Sequence, residues 1–466
     1  ALPIWCFNNC GAYSYNIDGQ FRQMYPDYGN PASDGTLCAR GYSYSQTAFS
    51  DDAIDSPLKR LPSGRYDALT WDMALAEIGQ KIEELNDEYG AGCLAMAYVP
   101  DTVTSFYGPR LMNALGTSNA FVDDVVFNSA KGAGFAQVIG TTTYTPDFAN
   151  ADLAVLIDTS YNDIARPDLI KQIQALRSAG KPVVAIDSRL GDVAAMADEW
   201  ISVAPGTEMA LLLAVCNQLI KTGRYDKAFV DANSAGLEQW AADIVDCTPT
   251  WAAEITGATE AQIEGLISMI DTAAPRVAIE YGNSVGGVGN FTNTAETARV
   301  ICLLNTLAGA WNTTGGALLP FDWSAYTAQS VAGSVNSPNF ELETVFDANA
   351  YPLADAATGS MATLVTHIKT HEIKALITVN DNVAANYACV DGFDAALSDL
   401  ELIVAITREM DETAQMADYV LPTCSFLESQ SLPKFIDGTT AAVSLRTQAL
   451  DQQSLNRLPI QAILSL

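Results

Sequence analysis

The chain has 466 residues, 49% of them hydrophobic, and sets 55 Asp and Glu against 24 Lys and Arg, a formal charge of −31. That balance argues against a nucleic-acid partner and a basic membrane-binding patch, because both depend on clustered cations. The length allows two to four domains with large cores, and without a long apolar run no membrane-spanning helix is expected.

The first forty residues carry Cys6-x3-Cys10 and, after twenty-seven residues, Cys38-Ala-Arg40-Gly41. Between them Asn16-Ile17-Asp18-Gly19 is a tight-turn signal and predicts a hairpin. Three thiolates held around a hairpin are suited to iron, although an iron–sulfur cluster usually takes four. The other reading is three scattered structural cysteines. Cys93, Cys216, Cys247, Cys302, Cys389 and Cys424 stand alone in apolar or helical contexts and are expected as buried thiols. No signal peptide is read at Ala1. The acidity points to an extracytoplasmic setting, with a cytoplasmic one as the alternative.

The cysteine stretch resembles the N-terminal domain of the molybdopterin oxidoreductases, the superfamily of dimethyl sulfoxide reductase and formate dehydrogenase. Cys6, Cys10 and Cys38 match the second, third and fourth cysteines of its pattern, and Arg40 matches the basic residue between cluster and pterin. Leu2 and Pro3 stand where the first cysteine belongs. The resemblance therefore implies a 4Fe-4S cluster, a 3Fe-4S cluster, or a lost one.

Further along, Thr70 is placed to cap a helix running to Tyr89, with Ala74, Ile78, Ile82 and Leu85 as its apolar stripe. A buried strand over 93–99 and a helix over 104–115 complete one β/α layer. Gly132-Ala133-Gly134-Phe135 and Gly140 match the family's anchors for the loop that ligates the metal, ahead of a helix over 129–139. Counting back from them places Phe127, which cannot coordinate, at the usual ligand position. Three readings are then open: the metal has no protein ligand but an oxygen or water in that place, or Asp123, Asp124 or Ser129 reaches it, or the site is dead; Lys131 is a candidate proton donor. The acids could equally cap the helix.

Residues 150–199 and 370–419 repeat each other at a constant offset of 220, with thirteen of fifty positions identical. Each copy reads strand, loop, helix, strand, loop, a duplicated α/β unit of parallel-sheet type. Ligands of such sheets sit at the carboxyl ends of the strands. Two copies thus predict two similar crevices facing each other. Their strand-end residues are Asp158, Thr159, Ser160, Asn162, Asp187, Ser188 and Arg189 in the first copy, and Asn380, Asp381, Asn382, Thr407 and Arg408 in the second. These residue types are also the ordinary chemistry of turns. A cofactor with two similar halves fits, and the family's pair of molybdopterin guanine dinucleotides, holding molybdenum or tungsten, is one.

Pro205-Gly206-Thr207-Glu208 resembles the family's Pro-Gly-Thr-Asp, whose acid meets the guanine. Glu208 is longer by one carbon, and a first-turn acid also suits a helix start. Tyr281-Gly282 opens a glycine-rich loop placed by resemblance near the pterin, and a helix is expected from Thr294 to Leu307. Residues 318–357 lack periodicity and read as a surface excursion. His367 and His371 are spaced as on one helix face, but without the accompanying glutamate of a zinc motif. Asp411-Glu412-Thr413-Ala414 and Ala417-Asp418-Tyr419-Val420-Leu421-Pro422, followed by Leu427-Glu428, resemble another family run and bring in Thr413.

The fold expected is multidomain α/β. A cysteine domain would span 1–60 with 426–466, one pterin-binding unit 61–145 plus 318–425, and a related unit 146–317. The resemblance covers three of the family's four domains; its last pterin-binding domain is not matched. It implies a molybdopterin-dependent oxidoreductase acting on a small-molecule substrate in anaerobic respiration, with electrons leaving through the cluster to an iron–sulfur partner subunit. A non-catalytic electron-transfer or scaffold relative is the alternative.

Overall fold

The computed structural model describes residues 10–18, 20–123, 126–160, 166–282, 291–323 and 359–451. Its architecture is the α/β, parallel-sheet organisation expected. One sheet has eight strands, in the order Gly359–Ser360, Ala120–Val122, Leu94–Tyr98, Ala375–Val379, Leu402–Thr407, Tyr419–Pro422, Leu58–Arg60, Tyr66–Ala68. The first six run parallel, and the last two form an antiparallel edge hairpin. A second sheet of four parallel strands has the order Glu199–Ser202, Val183–Asp187, Leu153–Ile157, Val277–Tyr281. The central strands are buried along their whole length, as continuous runs such as Leu-Ala-Val-Leu-Ile require when helices cover both faces.

The duplication is physical. Val184 pairs with Glu199 as Val404 pairs with Tyr419. Asp198 accepts from Val183 N at 3.0 Å, and Asp418 accepts from Ile403 N at 2.8 Å. The gapless register is nevertheless wrong at the first strand. Val184 lies opposite Val155, whereas Val404 lies opposite Ile377, so this strand is offset by 222 rather than 220. Asp158 and Asn380 therefore correspond, and both adopt left-handed backbone, with φ of 47° and 51°. Each sheet adds a fourth strand beside the first of its copy, Val277–Tyr281 in one and Leu94–Tyr98 in the other. One follows its copy in the chain and the other precedes it, so neither belongs to the sequence repeat. Both end on a buried tyrosine.

The helix Trp71–Tyr89 starts on Thr70, whose side chain accepts from Met73 N, and stops at Gly90 with φ of 82°. Strand Leu58–Arg60, expected in the cysteine domain, belongs to the large sheet, because the chain turns back onto Tyr419–Pro422. The helix expected over 129–139 begins earlier, at Val126, so Phe127 and Ser129 lie in its first turns instead of in or next to a loop. The two histidines do not share a helix face: the helix ends at Lys369 and His371 has φ of 60°. Cys389 is exposed and Cys247 half-buried, unlike the buried thiols Cys93, Cys216, Cys302 and Cys424. Among the described residues, no helix is long and apolar enough to cross a membrane.

Candidate functional site

In an open parallel sheet, the crevice lies where chain connections leave neighbouring strands in opposite directions. In the four-stranded sheet, that point is between the ends of Leu153–Ile157 and Val277–Tyr281. Asp158 and Thr159 meet Gly282 there, and a Cβ on Gly282 would lie 2.2 Å from Asp158 O, so only glycine allows the approach. Three buried acids gather at this end: Asp158, Asp187 and Glu208. Burial, reinforced by Glu208 and Asp187, holds the Asp158 carboxyl up at about 8. Burial also raises Glu208, with Asp187 adding to it. Asp187 accepts from Arg189 N at 2.9 Å and Glu208 from Gly206 N at 3.3 Å. Gly206 has φ of 78° and stands against the Phe291 ring, so its position in Pro-Gly-Thr-Glu is conformationally required. Ser188 and Arg189 are exposed at the rim. Ser160 donates to Asp192 at 3.0 Å.

The second copy repeats the scaffold with other side chains. Asn382 donates to Glu412 at 2.6 Å, the counterpart of Ser160 with Asp192. Asn382 thus corresponds to Ser160, and not to Asn162, which lies outside the described residues. Thr413 is buried; its hydroxyl donates to Asn382 Oδ1 at 3.1 Å and accepts from Ala384 N at 3.0 Å, which ties the loop after Ala375–Val379 to the helix Glu412–Met416. Thr407 donates to Asp411 at 3.4 Å. Asp381, next to Asn380, is pushed up to about 8 by burial and then by Asp123.

Asp123 is drawn into this second strand end. Its two oxygens accept from Tyr387 OH at 2.9 Å and Asn386 Nδ2 at 2.8 Å. Asp124 lies outside the described residues. Lys131, half-buried on the helix Val126–Ile139, donates to Tyr281 O at 3.3 Å and so links this helix to the strand leading into the glycine-rich loop. Burial lowers its ammonium to about 8; Glu280 opposes that shift and Arg166 adds to it. Arg166 bridges Asp168 and Glu280, both at 2.9 Å. In the cysteine segment the hairpin forms as expected, from Ala12–Ile17 and Gln20–Pro26. Cys10 and Leu37 share a small core with Met24, Phe426 and Leu427. Cys38 caps the helix Ala39–Ser43, its sulfur accepting from Gly41 N, with Arg40 exposed behind it. Cys6 lies outside the described residues.

The profile of the family described as molybdopterin oxidoreductase matches residues 54–455. The chain belongs to the molybdopterin oxidoreductase family. Among curated relatives, it is 26% identical to the molybdopterin-containing subunit of thiosulfate reductase from Salmonella typhimurium, across 91% of this chain and 58% of that one. It is 25% identical to formate dehydrogenase H from Escherichia coli, across 85% of this chain and 58% of the relative. The solved structure of acetylene hydratase from Pelobacter acetylenicus superposes with a TM-score of 0.81 at 21% identity, covering 98% of this chain and 66% of that one. The chain thus spans about three-fifths of the length of such relatives.

Membership in the molybdopterin oxidoreductase family implies a molybdenum or tungsten pterin cofactor. The donor set fits one end of it. Three carboxyls crowded at one strand end repel each other, and a ligand edge bearing adjacent N–H groups would relieve them. Several neighbours of this site escaped the sequence reading. The Arg166–Glu280 bridge joins residues far apart in the chain and leaves no local signal. Glu428 of the second copy, read in the sequence only as part of a family run, lies 220 residues after Glu208, at the offset of the repeat.

Proposed function

We propose that this chain is the cofactor-binding portion of the catalytic subunit of a molybdopterin oxidoreductase, holding a pair of pterin guanine dinucleotides in its two strand-end crevices. The observation that carries this is the duplicated unit, in which the Asp198–Val183 and Ser160–Asp192 bonds recur as Asp418–Ile403 and Asn382–Glu412, with polar strand ends in both copies. Asp187, Glu208, Gly206 and Gly282 would hold one dinucleotide, and Ser160, Ser188 and Arg189 would line its phosphates. Asn380, Asn382, Thr407 and Thr413 would shape the second crevice. Bound between them, the metal–pterin group supplies two-electron redox or oxygen-atom chemistry. Lys131 would hold a proton at its Nζ near the turn that carries Phe127. Cys6, Cys10 and Cys38 would hold an iron–sulfur cluster, with Arg40 between cluster and pterin.

The relatives are named for enzymes, which favours this reading over a non-catalytic scaffold. A small-molecule substrate and an iron–sulfur partner subunit follow from it, the latter because the thiosulfate reductase relative is itself named as a subunit. The division into a cysteine domain and two pterin-binding units belongs to the same reading, and the acidity supports an exported setting.

Elemental analysis of anaerobically purified protein tests the proposal. Near-stoichiometric molybdenum or tungsten is expected, with iron that Cys38→Ser removes. Iron alone would favour an electron-transfer subunit. Folded protein with neither metal would refute the reading.

A further inference from the structure

The helical run 39–49 has two faces. On the inner one, the Tyr44 ring meets that of Phe426 at 5.0 Å, beside the small core of Cys10, Met24 and Leu37. On the other, Tyr42, Gln46 and Phe49 recur at helical spacing, with Tyr42 43% and Phe49 56% exposed. Opposite them stands the strand Gln20–Pro26, whose Phe21 ring lies 5.6 Å from that of Phe49. Strand and helical run enclose a pocket of about 440 Å³, walled by Phe21, Tyr42 and Phe49 and edged by Arg22, Gln23 and Gln46. That volume falls within the roughly 300–1,000 Å³ of small-molecule sites. Ser45 also borders the pocket, but its hydroxyl is spent on Tyr42 O at 3.1 Å.

Both walls are fixed in place. The strand pairs with Ala12–Ile17 and plants Met24 in the core. The helical run is held near its end by Arg408, whose Nε donates to Thr47 O at 3.0 Å and Nη2 to Ala48 O at 2.8 Å. The pocket is thus formed before any ligand arrives.

The pocket's charge runs against that of the chain. Against 55 Asp and Glu in the sequence, no acid lines it, and its one charged group is the Arg22 guanidinium. Aromatic walls suit a flat ring system laid against them. A guanidinium and two amides offer N–H donors, which an anionic or oxygen-rich edge accepts. A flat cation, which the net charge of the chain attracts at long range, is repelled at the pocket itself.

We propose that this pocket is a binding site for a planar fused-ring molecule with an anionic or carbonyl-rich edge, of flavin or naphthoquinone type. The occupant lies against the helical run that starts after Cys38, apart from both strand-end crevices. The inference goes beyond the pterin reading and does not depend on it.

The test is calorimetric titration of the full chain with flavin mononucleotide, with menadione and with proflavine, a flat tricyclic cation. Saturable binding of flavin mononucleotide or menadione, tighter than that of proflavine, is expected. Binding of the first alone would assign the flavin class, and of the second alone the quinone class. Tyr42→Ala and Phe49→Ala each remove an exposed ring and should weaken binding roughly five- to a hundred-fold. Arg22→Glu should weaken flavin mononucleotide and tighten proflavine. Tyr28→Ala, exposed and outside the pocket, should change nothing. Tighter binding of proflavine by the unaltered chain would overturn the inference. So would the absence of saturable binding of either other probe below about 1 mM, or affinities that neither ring variant alters.

Discussion

The helix that presents Phe127 and Lys131 lies against the helix Thr294–Leu307, and Gly134 sits at their contact. A Cβ at Gly134 would fall 2.1 Å from Ala295 O and 2.7 Å from the Ala298 methyl. A comfortable carbon–oxygen contact is about 3.3 Å, so Gly134→Ala must push the helices apart by roughly 1 Å. Overfilling a packed contact costs about 1–3 kcal/mol, and the obstacle here is backbone, which cannot swing aside. Alanine recovers up to about 1 kcal/mol of helix propensity over glycine. The rigid obstacle calls for the upper end of that range, so the net expectation is a loss of about 2 kcal/mol. Gly79 and Gly265 also lie inside helices, but a Cβ on either meets nothing within 4 Å. Gly79→Ala and Gly265→Ala should therefore stabilise by about 0.5–1 kcal/mol. Urea unfolding of the three variants separates the cases: the midpoint should fall for Gly134→Ala and rise for the other two. A midpoint for Gly134→Ala at or above that of the unaltered protein would refute the helix contact. Pterin content in the same samples should drop with Gly134→Ala only, since displacement by about 1 Å suffices to disturb a positioned site.

The Asp381 carboxyl is held up at about 8 by burial and Asp123, so the stability tied to its proton is complete below the unfolded value near ~3.9 and is lost as pH climbs to about 8. Asp381→Asn keeps a neutral donor throughout, and the fall in urea midpoint between about pH 5 and about pH 8 should flatten; an unchanged slope would show that Asp381 is not its source. Arg166→Met leaves Asp168 and Glu280 without their partner, and breaking such a bridge should cost about 3–5 kcal/mol, read from denaturant unfolding; a loss under about 1 kcal/mol would mean that solvent already screens the pair. Thr70→Ala removes the cap on Met73 N and should cost about 1 kcal/mol, while Thr70→Asp should restore it.

Local chemistry made much of this protein legible in one dimension. Thr70 and Gly90 bound a helix because capping acts within one turn, and the strand runs around 153–157 and 375–379 stand out because both faces are covered. The hairpin over 12–26 follows from its turn residues. The duplication shows because related strands keep related side chains. The family could be read from the Ala-Asp-Tyr-Val-Leu-Pro run and the Pro-Gly-Thr-Glu turn, whose spacing along the chain is short.

Only the tertiary structure decided which residues meet. The offset of 222 at the first strand, against 220 at the second, comes from hydrogen-bond register between strands, and that register moved the partner of Asn382 from Asn162 to Ser160. The fourth strand of each sheet enters from opposite sides of its repeat, so no repeat search could pair Tyr98 with Tyr281. Asp123, placed by sequence beside the metal position, spends both oxygens on Asn386 and Tyr387 because its strand end lies near that of Ala375–Val379. Arg408 reaches Thr47 and Ala48 across some 360 residues of chain. Spacing along a sequence constrains only neighbours within a turn or a strand; contacts made across sheets are set by the packing of whole layers.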